Sequence, residues 1–118
     1  PEIATKARAA AAAHGTALRK AFAAGVKIAF GTDSGVSAHG LNAQEFGLMV
    51  DHGMTPAAAL RAGTSVAAAL LGLERSVGTL EAGKEADIVA VPGDPLADIH
   101  VTERVSFVMR GGKVLRRD

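Results

Sequence analysis

The feature that most constrains this chain is an apolar segment that ends at a carboxylate, in the stretch VKIAFGTDSGVSAHG from Val26 to Gly40. Its apolar side chains predict a buried strand over Val26–Thr32. Asp33 follows directly, and the small residues after it predict a loop. An acid at the mouth of a buried strand is either a turn residue or a catalytic group, and the segment alone leaves both interpretations open.

Composition excludes several classes of function. The 118 residues include no cysteine, which rules out disulfides, thiolate metal sites and cysteine nucleophiles. The formal net charge is +1 and no basic stripe is present, so no nucleic-acid partner is expected. No apolar run approaches the roughly 20 residues that cross a bilayer, so no membrane partner is expected either. The absence of cysteine leaves the cellular compartment open, with the cytoplasm favoured.

A long helix is predicted at the start of the chain, from Glu2 to Ala24, with Gly25 as its C-cap. Apolar residues spaced four apart form a narrow stripe along it, namely Leu18, Phe22 and Val26. The alanine-rich remainder favours helix but buries little apolar area, so these helices need a larger body to pack against.

The next helix is predicted to begin with a capping box. Asn42 is a suitable N-cap and Glu45 stands at the third helical position, where its side chain can bond back to the N-cap amide. The helix would run to His52 and end at Gly53. Both polar residues could instead reach a site at Asp33, but the capping box explains both and is favoured.

Two further helices have clear boundary signals. Thr55 is an N-cap, Pro56 occupies the first helical position, and Gly63 ends the helix. Thr64 or Ser65 caps the second one, which continues through VAAALLG.

The pattern changes to β after Gly72. Glycine and proline flank the apolar run Asp87–Val91, which predicts a short strand. The stretch RVSFVMRGGKVLRRD predicts two strands joined by a hairpin turn at Gly111 and Gly112.

Four motifs in this order resemble the C-terminal part of the amidohydrolase superfamily. GTD is similar to the end of the last barrel strand, and TPAAALRAGTSVAAALLGL to the helices that follow it. VGTLEAGKEADIVAVPGDPL resembles the return into a small β-sandwich, and the segment ending in FVMRGGKVL resembles its final hairpin. The resemblance implies an α/β fold, the C-terminal part of a (β/α)8 TIM barrel with part of a β-sandwich domain. Residues 1–75 would be the last barrel strand with its helices, and residues 76–118 the sandwich segment.

The loop pattern GTDSGV…HG…N…E resembles a narrower group of Xaa-Pro dipeptidases, Xaa-Arg or Xaa-Lys dipeptidases and ochratoxinase-like amidases. This resemblance implies hydrolysis of an amide C–N bond in a small-molecule substrate, a dipeptide or an N-acyl amino acid. It also implies that Asp33 ligates a divalent metal and shuttles the proton from water to the departing amine. Zinc is the favoured metal, with one or two ions bound.

The remaining polar residues carry weaker hypotheses. His39 is either a substrate-binding residue in the loop over the site or a solvated loop histidine, and both interpretations stay open. The other histidines lack a partner at metal-ligand spacing and are interpreted as structural or solvated: His14, His52 and, in the β segment, His100. Asp87 matches a structural position of the family. Nucleophile roles are disfavoured, because no nucleophile-elbow motif is present, for Thr32, Ser34 and Ser37.

Most of the family's metal site has no counterpart in this chain. There is no His-x-His pair, and one carboxylate cannot hold a catalytic zinc, which takes three protein ligands and a water. Together with Pro1 as the first residue, this predicts a C-terminal fragment that is inactive alone and needs the N-terminal remainder of the same enzyme as its partner. The alanine-rich helix face suits contacts between identical subunits, so a homo-oligomer is expected. The alternative is a non-catalytic barrel remnant that serves oligomer contacts or binding.

Overall fold

The computed structural model describes residues 2–35 and 38–118 of the chain. Pro1 and the candidate nucleophile Ser37 lie outside the described residues. The described part contains four α-helices, one 3₁₀ helix and three β-strands. Helix α1 spans Glu2–Ala23, which confirms the predicted first helix. None of the helices within the described ranges is long and apolar enough to cross a membrane.

The C-terminus of α1 is a Schellman motif, as its glycine predicts. Gly25 adopts φ +76°, and its N–H donates to the Phe22 carbonyl at 3.0 Å. The Val26 N–H donates to the Ala21 carbonyl, also at 3.0 Å, which completes the motif. Leu18 and Phe22 pack against the buried core, as the stripe predicts. Val26 does not, since it lies past the left-handed glycine and is 55% exposed.

Three short helices follow: α2 (Gln44–Asp51), α3 (Pro56–Ala62) and α4 (Ser65–Leu70). Thr55 caps α3 as predicted, because its Oγ1 accepts a 3.2 Å hydrogen bond from the N–H of Ala58, the third residue of the helix. Thr64 occupies the N-cap position of α4, but its hydroxyl donates backwards to the carbonyl of Leu60 at 2.8 Å. The order of the helices is as predicted, but the predicted side-chain cap of α4 does not form.

The predicted capping box at the start of α2 is wrong. The N-cap is Ala43, whose backbone is already helical and which makes no side-chain cap hydrogen bond. The first amides of α2 bond instead to carbonyls three residues back, the tighter 3₁₀ pattern; Glu45 N–H, for example, donates to the Asn42 carbonyl at 3.2 Å. The Asn42 side chain bonds instead to the loop that contains Asp33, as described below.

A small core lies between α2, α3 and the segment before them. Its buried members are Met49, Met54, Ala59 and Ala62. Ile28 and Phe30 pack onto this core, and the Phe30 N–H donates to the Ala62 carbonyl at 2.9 Å. The predicted strand over Val26–Thr32 does not form within the described residues, because a strand requires backbone pairing and the three strands of this structure pair with one another.

The C-terminal part is a three-stranded antiparallel sheet in the order β1-β2-β3. The strands are β1 (Ile88–Ala90), β2 (Phe107–Arg110) and β3 (Lys113–Arg117). Gly111 and Gly112 have φ values of +53° and +78°, which two-residue hairpin turns of type I′ require at both central positions. The predicted strand and hairpin are confirmed.

A 3₁₀ helix at Ile99–Glu103 connects β1 to β2 and packs against α2. Ile99 and Val101 are buried, and the helix begins where the Asp98 side chain accepts the His100 amide at 3.0 Å. His100 therefore lies in a helical turn and not in a β segment, a correction to its predicted location. Its side chain is exposed, as predicted.

The surface of the chain is large for its mass. The accessible area is 8359 Å², whereas a compact monomer of this size exposes roughly 6,000 Å². The radius of gyration is 15.8 Å, against about 13.5 Å for a compact domain of this length. Large apolar side chains contribute to this surface, including Leu70 and Leu80, which are 73% and 78% exposed. The described residues thus bury only a modest share of their own apolar groups.

Candidate functional site

Asp33 lies in an unusual backbone conformation directly after the core-packed segment. Its φ of +47° is the only positive value at a non-glycine residue among residues 2–35 and 38–118. This left-handed region costs an L-residue about 1–2 kcal/mol, and Asp tolerates it better than most. Asp33 is exposed, whereas Thr32 before it and Ser34 after it are half-buried. The chain therefore turns sharply at Asp33 and presents this residue to solvent.

The amide of Asn42 bridges the two hydroxyls on either side of Asp33. Its Nδ2 donates to Thr32 Oγ1 at 2.9 Å and to Ser34 Oγ at 3.1 Å. These two bonds tie the start of the loop to the residue that leads into α2. Sequence reasoning missed this contact by assigning Asn42 to a helix cap. The available signal was an amide within ten residues of an acid flanked by two hydroxyl side chains.

A cavity of about 680 Å³ lies between α1, the segment that ends at Asp33, and α2. Its titratable lining residues are His14, Asp33, Glu45 and His52. Glu45, which the sequence assigned to a helix cap, thus lines the same cavity as Asp33. No three acidic or histidine side chains of the described part are arranged to hold a metal ion. These residues therefore form a polar cavity wall and not a complete metal site.

His39 lies apart from this cavity in the described structure. It is exposed, in a turn that Gly40 completes with φ +93°. It is not among the residues that line the cavity. A substrate contact by His39 stays a prediction.

The His52 ring lies close to the backbone of α1 at Gly15. A side-chain carbon built on Gly15 would overlap the His52 ring, with Nε2 only 2.8 Å away. His52 is the C-cap residue of α2, and Gly15 is the buried residue of α1. The interpretation of His52 as structural is supported by this contact, although the same ring also lines the cavity.

Asp87 has a structural contact, as its position in the sequence predicts. Its Oδ1 accepts a 2.7 Å hydrogen bond from the Gly111 amide, which joins the start of β1 to the hairpin turn. The Gly112 amide donates to the neighbouring Ala86 carbonyl at 3.1 Å. Asp87 thus holds the edge of the sheet to its turn.

Comparison with known proteins identifies the family to which this chain belongs. The model of the amidohydrolase family matches residues 3–115. The chain belongs to that family. Ochratoxinase from Aspergillus niger is 38% identical over 116 residues, which cover 94% of this chain and 24% of that protein. The chain therefore spans about a quarter of the length of the curated relatives it matches.

Solved amidohydrolase structures contain the same fold. A Xaa-Pro dipeptidase with bound methionine superimposes with a TM-score of 0.84 and 45% identity, covering 86% of this chain and 25% of the dipeptidase chain. The A. niger ochratoxinase structure gives a TM-score of 0.82 and 37% identity, with 96% of this chain and 27% of that chain covered. The mixed α/β structure described above is thus a part of the amidohydrolase fold.

Proposed function

We propose that this chain is the C-terminal part of a metal-dependent amidohydrolase and supplies the acid of its active site, Asp33. The observation that carries the proposal is the placement of Asp33, held at φ +47° at the end of a core-packed segment and on the wall of a large cavity. Family membership supports hydrolysis as the reaction class. The similarity to an ochratoxinase and to a Xaa-Pro dipeptidase supports an amide C–N bond in an N-acyl amino acid or a dipeptide as the bond that is cleaved.

In the whole protein, residues 26–32 would be the last strand of the barrel. Ile28 and Phe30 alternate along the segment and pack on one side against the helices, as strand residues two apart do. Residues 1–75 would then belong to the barrel and residues 76–118 to a sandwich-like second domain. The three-stranded antiparallel sheet within 76–118 supports this division. Backbone pairing of residues 26–32 would come from the N-terminal remainder of the same enzyme.

The metal requires ligands beyond those in this chain. Asp33, an exposed carboxylate, is a suitable oxygen ligand for a divalent ion, for which zinc is our favoured choice, with one or two ions bound. When bound, such an ion polarises the substrate carbonyl and makes a water acidic enough to act near neutral pH. Asp33 cannot form this site alone, so its other ligands belong to the N-terminal remainder.

Asp33 has a defined task in the proton transfers. Its carboxylate accepts the proton of the attacking water as the carbon–oxygen bond forms. It then gives that proton to the nitrogen as the C–N bond breaks, which leaves a carboxylic acid and an amine. General acid–base catalysis of this kind accelerates a reaction by about 10²–10⁴-fold. A fixed backbone at Asp33 serves this role because the transfer requires a short, aligned hydrogen bond.

The test is Asp33→Asn in the full-length protein, measured on Xaa-Pro dipeptides and N-acyl amino acids. Turnover is expected to fall by about 10²–10⁴-fold while the circular dichroism spectrum is retained, since the amide cannot accept the proton. The matched control is Asp87→Asn, whose remaining carbonyl oxygen can still accept from Gly111. This control should keep near-normal turnover.

Two outcomes contradict the proposal in different ways. Near-normal turnover in Asp33→Asn would remove Asp33 from the mechanism. A full-length wild-type protein that hydrolyses neither substrate class, even when loaded with zinc, would favour the non-catalytic remnant that serves oligomer contacts or binding.

A further inference from the structure

The side chain of Asn42 bridges the two residues on either side of Asp33. One amide nitrogen donates to both Thr32 Oγ1 and Ser34 Oγ, at 2.9 and 3.1 Å. The two acceptors precede and follow Asp33 directly. We propose that Asn42 is a positioning residue that fixes the orientation of the Asp33 carboxylate, an inference that rests on the proposed function of Asp33.

The backbone conformation of Asp33 explains why such a bridge is needed. A non-glycine residue at φ +47° is strained, and the loop relaxes to a more common conformation unless other contacts hold it. Asp33 is exposed and its neighbours are only half-buried, so apolar packing contributes little at this point. The two hydrogen bonds hold residues 32 and 34 to a common partner and thereby limit rotation of the residue between them.

Asparagine suits this task because its side-chain amide carries two donor hydrogens. The Nδ2 group carries two hydrogens, one for each hydroxyl, whereas serine or threonine at position 42 would offer only one. The bridge also joins the loop to α2, since residue 42 stands just before its first turn. Movement of α2 relative to the core-packed segment would therefore be transmitted to Asp33.

Loss of the Asn42 bridge should change the kinetics in a specific way. A misplacement of the acid by about 1 Å can lower a rate by about 10²-fold, although substrate binding elsewhere is unaffected. Loss of the bridge should therefore lower kcat and leave KM nearly unchanged. A residue that merely stabilised the fold would lower the fraction of folded enzyme and leave the kcat per folded molecule unaltered.

The experiment uses Asn42→Ala and Asn42→Asp in the full-length protein. We expect Asn42→Ala to lower kcat by about 10- to 100-fold with little change in KM. Asn42→Asp keeps the shape of the side chain, and the two hydroxyls can rotate to donate to it. Because the bridge can form again, Asn42→Asp should recover most of the kcat that Asn42→Ala loses.

Single hydroxyl variants measure the same contacts if Asn42→Ala fails to fold. Thr32→Val and Ser34→Ala each remove one bond of the bridge and should each lower kcat by less than Asn42→Ala does. The matched control is Thr64→Val, which removes a hydroxyl bond of similar length in the linker between α3 and α4. Its kcat per folded molecule should match that of the wild type.

The outcomes separate this inference from the proposed function. If Asp33→Asn abolishes turnover but the variants at Asn42, Thr32 and Ser34 keep a normal kcat per folded molecule, the positioning role is wrong and the role of Asp33 stands. If Asp33→Asn keeps normal turnover, the proposed function fails, and the positioning role fails with it.

Discussion

At the scale of single residues, His100 illustrates a contact that depends on protonation. Its ring lies against the backbone of Gly47 in α2, where a side-chain carbon would come within 3.2 Å of Nδ1. The same Nδ1 is 3.0 Å from Glu103 Oε1. This hydrogen bond raises the pKa of His100 above its ordinary value, with smaller contributions from the charges of Asp98 and, across the helix contact, Asp51.

The raised pKa of His100 predicts a pH dependence of stability. A folded-state pKa above the unfolded value of 6.5 means that the pair stabilises the fold fully below that pH and loses its effect as the pH rises past the raised pKa. His100→Gln should therefore lower the Tm of the full-length protein more at about pH 5.5 than at about pH 8.5. Glu103→Gln removes the other partner of the pair and should likewise lower the Tm more at about pH 5.5 than at about pH 8.5. An equal Tm loss at both pH values would contradict this prediction.

At the scale of secondary structure, α1 is held by a stripe of residues on one helical face. Gly15 accommodates the His52 ring, the Arg19 side chain lies beside Gly53, and Leu18 and Phe22 pack against the core. The sequence predicts only the apolar part of this stripe. A glycine inside a long alanine-rich helix lowers helix propensity by about 1 kcal/mol relative to alanine, so the close approach of His52 is the compensating gain.

This contact predicts that alanine at position 15, which would otherwise stabilise a helix, lowers the stability of the protein. Gly15→Ala should destabilise the full-length protein by about 1–3 kcal/mol, because the new methyl group overlaps the His52 ring. The double variant Gly15→Ala/His52→Ala should recover stability relative to Gly15→Ala, since the overlap is gone and the helix propensity is improved. Urea denaturation measures the free energy of unfolding of both variants and of the wild type. A stabilising Gly15→Ala single variant would show that the helices are not packed at this glycine.

At the scale of the whole molecule, the exposed area exceeds that of a compact monomer by roughly 40%. This excess is larger than the roughly 800 Å² that each partner buries in a standard interface. The apolar side chains on this surface include Leu70, Leu71 and Leu80, and a second cavity of about 420 Å³ is lined mainly by such groups near α4 and β1. We therefore expect this surface to be covered by the remainder of the same enzyme.

The exposed surface predicts how the chain behaves alone. The isolated 118-residue chain should self-associate in size-exclusion chromatography with light scattering, and it should neither bind zinc tightly nor hydrolyse amides. The full-length protein, purified in parallel, is the control. Native mass spectrometry of each sample, followed by denaturation, would report both metal and partner. Zinc-dependent hydrolysis by the isolated chain would contradict the expectation.

Local chemistry in the sequence by itself determined several of the element boundaries. Gly25 predicts the end of α1, Thr55 with Pro56 predicts the start of α3, and Gly111 with Gly112 predicts the hairpin. Each of these signals acts through the backbone of its own neighbourhood, through a positive φ, a capping hydroxyl or a missing N–H. Family resemblance supplied Asp33 as the candidate acid in the same way, from a short motif that can be read without knowledge of the packing.

Only the tertiary structure decided which side chains meet. The sequence pattern at Asn42 predicts a helix cap, but in the structure its amide nitrogen donates to two hydroxyls eight and ten residues away, and α2 begins after Ala43 without a side-chain cap. His52 meets Gly15 and His100 meets Gly47 because separate helices approach closely at a glycine. The segment at residues 26–32 has the composition of a strand, yet pairing requires neighbouring strands, and the three strands among the described residues pair only with one another. These outcomes depend on where distant segments lie, and local propensity carries no information about that.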